Sequence, residues 1–144
     1  MGVRLVASAF DPWQEIARQQ TARPELAGRY GATAVFVGSL RDFNQGQAVS
    51  AMTLEHYPGM TVTYLEKIER EARSRWPVLD SLVIHRHGPL MPDDSIVLVA
   101  VWAAHRGDAF DACRYIIDEL KTRAPFWKQE QTPDGARWVE REDR

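Results

Sequence analysis

Two amphipathic segments, each bracketed by strand-like runs, most constrain what this chain can fold into. Between Pro58-Gly59 and Pro77, the apolar residues Met60, Tyr64, Leu65, Ile68, Ala72 and Trp76 recur at helical spacing. Glu66 with Arg70, Glu69 with Arg73 and Glu71 with Arg75, each four apart in the favourable order, mark the opposite face as solvated. The second segment opens at Gly107-Asp108, with Asp108 as the natural N-cap, and carries the stripe Phe110, Cys113, Ile116, Ile117 and Leu120. Pro125 disfavours helical geometry at Ala124, which predicts an end near Arg123.

Around these helices the spacing predicts strands. Gly31 to Leu40 and Ala48 to His56 are rich in small and β-branched residues, and Asn44-Gln45-Gly46 between them predicts a hairpin. Ser81 to His87 and Ser95 to Ala104 follow, joined by a loop from Gly88 to Asp94. Phe126 to Gln131 and Arg137 to Glu140 alternate around the turn Thr132-Pro133-Asp134-Gly135. At the start, Val3 to Ala7 reads as a short edge strand, and Asp11 caps a short helix with Pro12 in its first turn. From Ala48 onward the order strand-helix-strand-strand-helix-strand predicts a split-βαβ-like core. The fold class is α+β, with two main helices on a mixed, largely antiparallel sheet.

A chain of 144 residues without repeats or linkers reads as one domain, residues 1–144. Eighteen Lys and Arg against twenty Asp and Glu argue against a general nucleic-acid binder, though not against a local anion pocket. Cys113 is the sole cysteine, so no intramolecular disulfide forms. Met1 to Phe10 is too short and polar for a signal peptide, and no apolar run approaches the roughly 20 residues that cross a bilayer. These features predict a cytoplasmic protein with no membrane attachment.

Five groups carry possible chemistry, each with a plainer alternative. Lys121-Thr-Arg123-Ala-Pro-Phe-Trp-Lys128 gathers cations at a helix end, where they commonly complement the dipole. That does not account for Lys128, which lies past Pro125 beside two aromatics, where partial desolvation lowers a lysine's pKa and fits it for acid, base or nucleophilic work. His105-Arg106-Gly107-Asp108 stands at a helix N-terminus, either an ordinary capped helix or an anion site with an arginine fork. Arg41, in Gly38-Ser39-Leu40-Arg41-Asp42-Phe43-Asn44, reads by itself as a surface residue of the hairpin. His85 and His87 share a strand face but have no Cys or carboxylate cluster to complete a metal site. Cys113 falls on the helix stripe and reads as a small core residue. No Gly-rich phosphate loop or Ser/His/Asp arrangement is present.

Leu54-Glu-His-Tyr-Pro-Gly-Met60, Val83-Ile-His-Arg-His-Gly-Pro-Leu90, His105-Arg106 with Ala109-Phe110, Leu120-Lys-Thr-Arg-Ala-Pro-Phe-Trp-Lys128 and Gln131-Thr-Pro-Asp-Gly-Ala-Arg-Trp-Val139 together resemble the large subunit of molybdopterin synthase, in that family's order over about residues 30 to 140. The resemblance implies an α+β fold of the α/β-hammerhead type, paired as a homodimer. Each copy binds a small ubiquitin-like sulfur-carrier subunit, giving a heterotetramer without metal or cofactor. It implies that the carrier's C-terminal thiocarboxylate enters a pocket, where two sulfur transfers convert cyclic pyranopterin monophosphate into the dithiolene of molybdopterin. By position, Lys121 and Lys128 match the family's pocket lysines, Arg41 its anion-binding arginine, and His105-Arg106 a substrate-contacting pair. Ser39 and Leu40 before Arg41, and Gln129 and Glu130 after Lys128, complete the implied substrate-binding set, with Glu130 on the same strand face as Lys128. Two rival readings are a non-catalytic domain that binds an anionic metabolite or a partner's tail, and a phosphate-ester hydrolase, for which no nucleophile or metal cluster is evident.

Overall fold

The structure, a computed structural model, describes residues 2–44, 46–57, 59–123 and 126–139. In chain order the elements are β1 (Gly2–Val6), α1 (Pro12–Ala22), a 3-10 turn (Pro24–Leu26), β2 (Ala32–Ser39), β3 (Phe43–Asn44), β4 (Gln47–Ala48), β5 (Ala51–His56), α2 (Met60–Arg75), β6 (Val78–Arg86), β7 (Gly88–Leu90), β8 (Ser95–Ala103), α3 (Arg106–Arg123), β9 (Phe126–Thr132) and β10 (Gly135–Val139). One four-stranded sheet has the order β1-β6-β8-β2, and a second has the order β10-β9-β5-β7. Among the described residues only β1 against β6 is parallel; the other pairings are antiparallel. The α+β class with a mixed, largely antiparallel arrangement is therefore what the chain adopts. Gln45, Pro58, Ala124, Pro125 and Glu140, to which turns, a helix stop and a strand end were ascribed, lie outside the described residues.

Helix starts follow local chemistry. Asp11 Oδ1 accepts from the backbone N–H groups of Trp13 and Gln14 at 3.0 and 3.4 Å, with Pro12 opening α1. α2 follows Gly59, whose φ of 82° suits a residue without a Cβ, and ends where Trp76 turns extended ahead of Pro77. Asp108 is not the N-cap of α3: the helix already runs from Arg106, so Asp108 lies in its first turn, favourable to the dipole there.

The first sheet is buried on both faces. Val83, Val99 and Val101 meet Leu65, Ile68 and Ala72 of α2 and Ala109, Ala112, Cys113 and Ile116 of α3. Leu82, Ile84, Leu98, Ala100 and Trp102 pack on the other side with Phe10 and Ile16. The buried positions of α3 step 109, 112, 113, 116, 117, 120, so Phe110 sits about 100° round the helix and is 64% exposed instead of joining the stripe. Met60 is likewise 52% exposed. The charged face of α2 is also not wholly solvated. Glu69 is buried, accepting from Arg73 at 2.8 Å and from the Ser81 hydroxyl of β6. Glu71 reaches Arg123 of α3 at 2.7 Å, and Arg75 lies 4.5 Å over the Tyr115 ring, so these two join helices instead of pairing with each other.

The predicted hairpin between Gly31–Leu40 and Ala48–His56 does not form. β2 pairs with β8, while β5 pairs with β9 and β7 in the other sheet. β3 instead pairs with β4, Phe43 against Ala48 and Asn44 against Gln47. The split-βαβ order is realised across two sheets, β6 with β8 in one and β5 with β9 in the other.

Candidate active site

Where the two sheets and the end of α3 meet, a cleft of about 500 Å³ opens. Its construction follows from strand alternation. Successive side chains of β9 point to opposite faces, so Phe126, Lys128 and Glu130 share one face, opposite His56, Leu54 and Met52 of β5. All of these but His56 line the cleft. The bulge between Gly38 and Ser39 bends the end of β2 and brings Ser39, Leu40 and Arg41 to the rim. The last two turns of α3 contribute Ile117, Leu120 and Lys121. Ile117 and Leu120 are also core residues, which fixes the backbone that carries Lys121.

Of the residues singled out in the sequence, Ser39, Leu40, Arg41, Lys121, Lys128 and Glu130 come together here, from three separated segments. Gln129 does not: alternation turns it to the other face of β9. His105 and Arg106 do not either. They stand at the opposite end of α3, about 22 Å from Lys121 at the rise of 1.5 Å per residue.

Glu130 is 2% exposed, yet both its oxygens are engaged. Oε1 accepts from Arg137 Nε and Nη2 at 3.2 and 3.0 Å, and Oε2 accepts from Asn44 Nδ2 at 3.0 Å. Arg137 Nη2 also donates to the Asn44 carbonyl at 2.6 Å, and Asn44 Oδ1 accepts from Arg41 Nη2 at 3.2 Å. A chain of polar contacts thus runs from β10 through β9 and the β3 turn to the cleft's arginine.

His85 lines the cleft. Its ring stacks on Phe126 at 3.9 Å, while His87 leans on His56 at 4.3 Å. Among the described residues no group of three or more His, Cys, Asp and Glu is placed to hold a metal ion. Nδ1 of His85 lies 2.9 Å from the Arg86 carbonyl, which can only accept, so Nδ1 carries the proton. Burial, reinforced by the nearby Lys128 and the other two histidines, pushes its pKa down to about 4. The unfolded chain, with an ordinary value of 6.5, therefore binds a proton that the folded chain does not between about pH 4 and 6.5. Stability from this residue is present above pH 6.5 and is lost as pH falls towards 4, up to about 3 kcal/mol. Urea denaturation at pH 7 and 4.5 should show a smaller pH-dependent loss in His85→Gln than in the parent; equal losses would rule His85 out as the source. No periodicity signal marks His85, Phe36, Met52 or Tyr57 as cleft residues, because strand pairing between distant segments gathers them.

The chain matches the MoaE protein family over residues 7–123. It is 53% identical over 138 residues to the molybdopterin synthase catalytic subunit of Ralstonia nicotianae, covering 96% of this chain and 76% of that relative. Among solved structures it is similar to the molybdopterin biosynthesis MoaE protein of Burkholderia ambifaria, with a TM-score of 0.79 and 51% identity over 95% of this chain and 87% of that one. It is also similar to the molybdopterin synthase of Staphylococcus aureus, with a TM-score of 0.81 and 31% identity over 94% of this chain and 95% of that one. No helix among the described residues is long and apolar enough to cross a membrane. The chain belongs to the MoaE family, the catalytic subunits of molybdopterin synthase.

Proposed function

We propose that the cleft is the sulfur-transfer site, and that this chain works in the cytoplasm, as a single domain, on cyclic pyranopterin monophosphate. The observation that carries the reading is the convergence of Arg41, Lys121 and Lys128 on one cleft with largely apolar walls, among them Phe36, Met52, Leu54 and Ile96. The donor is the C-terminal thiocarboxylate of a small ubiquitin-like carrier subunit, and the acceptor carries a cyclic phosphate. Both are anions, and at contact distance their repulsion must be offset by cations, which act more strongly beside apolar walls than in water. A carbon–sulfur bond forms on the pterin side chain and the cyclic phosphate opens. Water then cleaves the acyl–sulfur bond, returning the carrier as a carboxylate and leaving the sulfur on the pterin. A second carrier adds its sulfur at the neighbouring side-chain carbon, whose oxygen leaves as water, and hydrolysis of that second acyl–sulfur bond completes the dithiolene.

Lys121 is assigned the proton transfers, and Lys128 and Arg41 the stabilisation of the two anions. Ser39, Leu40 and Glu130 shape the same wall. His105 and Arg106, remote from this cleft, complete the site of a second copy across a homodimer contact, and two carriers then make the heterotetramer.

The test is reconstitution: purified protein, thiocarboxylated carrier and cyclic pyranopterin monophosphate, with the dithiolene product oxidised to its fluorescent derivative. Product formation supports the reading; a stable carrier complex without product leaves a scaffold that has the fold but not the chemistry. In the same assay Arg41→Ala should raise the substrate KM by about 10- to 100-fold, the weight of a hydrogen bond to a charged group, with little change in kcat. Unchanged saturation behaviour would remove Arg41 from substrate binding.

A further inference from the structure

Asn44 lines the cleft, and the sulfur-transfer reading gives it no role. It is held at both ends. Its carbonyl accepts from Arg137 Nη2 at 2.6 Å, and its Nδ2 donates to the buried Glu130 at 3.0 Å. A carboxylate only accepts, so the amide nitrogen must face Glu130, and the amide oxygen is thereby turned to Arg41 Nη2 at 3.2 Å. The side chain is short and its orientation is set from behind by the ion pair of the buried Glu130 with the partly exposed Arg137, itself fixed by the β9–β10 register that places Arg137 opposite Glu130.

We infer that Asn44 is a positioning residue for Arg41: it passes the geometry of the Glu130–Arg137 pair to the guanidinium at the cleft rim while leaving that guanidinium's charge intact. The residue type matters. Arg41 lies in the connection between β2 and β3 and carries five N–H donors on a long flexible stem, so without an anchor it would sample many orientations. A carboxylate at position 44 would also hold it, but would neutralise the charge needed for an anionic substrate and would face Glu130 charge against like charge. An amide orients the arginine, uses one of its donors and neutralises nothing.

This inference rests on the cleft being the pyranopterin site, and a double-mutant cycle separates the two. With carrier and substrate in the reconstituted assay, Asn44→Ala should raise the substrate KM about tenfold, with kcat within about twofold of the parent. In an Arg41→Ala background the same change should move KM by less than about twofold, because the group it positions is gone. Asn44→Asp, nearly the same shape, should raise KM at least as much as Asn44→Ala, which a space-filling role does not predict. Should Asn44→Ala lose its cooperative thermal transition, Asn44→Ser takes its place in the cycle. An unchanged KM, or an equal factor in both backgrounds, overturns the inference. If Arg41→Ala raises KM and the factors are equal, the inference fails alone. If Arg41→Ala has no effect on a protein that makes product, the assignment of Arg41 fails and takes the inference with it.

Discussion

Replacing Lys121 by alanine is expected to lower turnover by about a hundredfold or more while leaving the fold and the carrier complex intact. A hundredfold corresponds to about 2.7 kcal/mol of transition-state stabilisation, the range seen when one preorganised charge-stabilising group is removed. The structure separates this loss from a folding defect. Lys121 is exposed in the last turn of α3, whereas the residues that anchor this turn are its neighbours Ile117 and Leu120, buried in the core. Truncation at an exposed position of this kind moves stability by about 0.5 kcal/mol or less. Thermal melting should therefore overlay the parent's, and carrier binding should persist. Lys121→Arg then divides the possible roles: it keeps the charge but cannot give up a proton near neutral pH. If it stays as slow as the alanine variant, Lys121 moves protons; if most of the rate returns, its part is electrostatic. Near-normal turnover in Lys121→Ala would end its assignment to the chemistry.

How much of this could be read from the sequence depended on range. Contacts within one turn of chain were largely legible: the Asp11 cap, the stripes of α2 and α3 apart from the exposed Met60 and Phe110, and the β9–β10 hairpin around Thr132-Pro133-Asp134-Gly135 appear where the residue types put them. Pairing between distant strands was not. The residues flanking the turn signal pair only as the short β3 and β4, and nothing in Gly31–Leu40 encodes that β2 will find Ser95–Ala103 as its partner. The errors within helices have the same origin. Glu69 looks like a surface residue until β6 supplies the Ser81 hydroxyl that makes its burial tolerable. Lys121 and Lys128 stood out as a cation cluster, but that they share a cleft with Arg41 was implied by family resemblance alone, since Arg41 is far from them in the chain and the two sheets bring them together. Asn44 and Arg137 carried no signal of a part in the cleft, because that part depends on a buried carboxylate that only the folded chain brings between them.

That carboxylate sets the largest expected effect on stability. Arg137→Ala should destabilise the protein by about 3 kcal/mol, because it strands a charge that is 2% exposed and leaves it, among the described residues, the Asn44 amide as its hydrogen-bond partner. For a chain of this size, with a total stability of about 5–15 kcal/mol, that should lower the melting temperature by about 10 °C. The cost is that of leaving Glu130 unpaired, and it is not the net worth of the pair. Pairing Arg137→Met with Glu130→Leu removes both charges, and most of the lost stability should return as the two apolar chains pack between β9 and β10. Activity should not return with it. The double variant has a sound fold but no carboxylate to orient Asn44, so its substrate KM should remain raised to about the level of Asn44→Ala. Calorimetry and the saturation assay on the same three proteins decide the matter. Recovery of both stability and KM in the double variant would make the pair a structural element alone, whereas recovery of stability with a raised KM ties the buried charge to the substrate's anion.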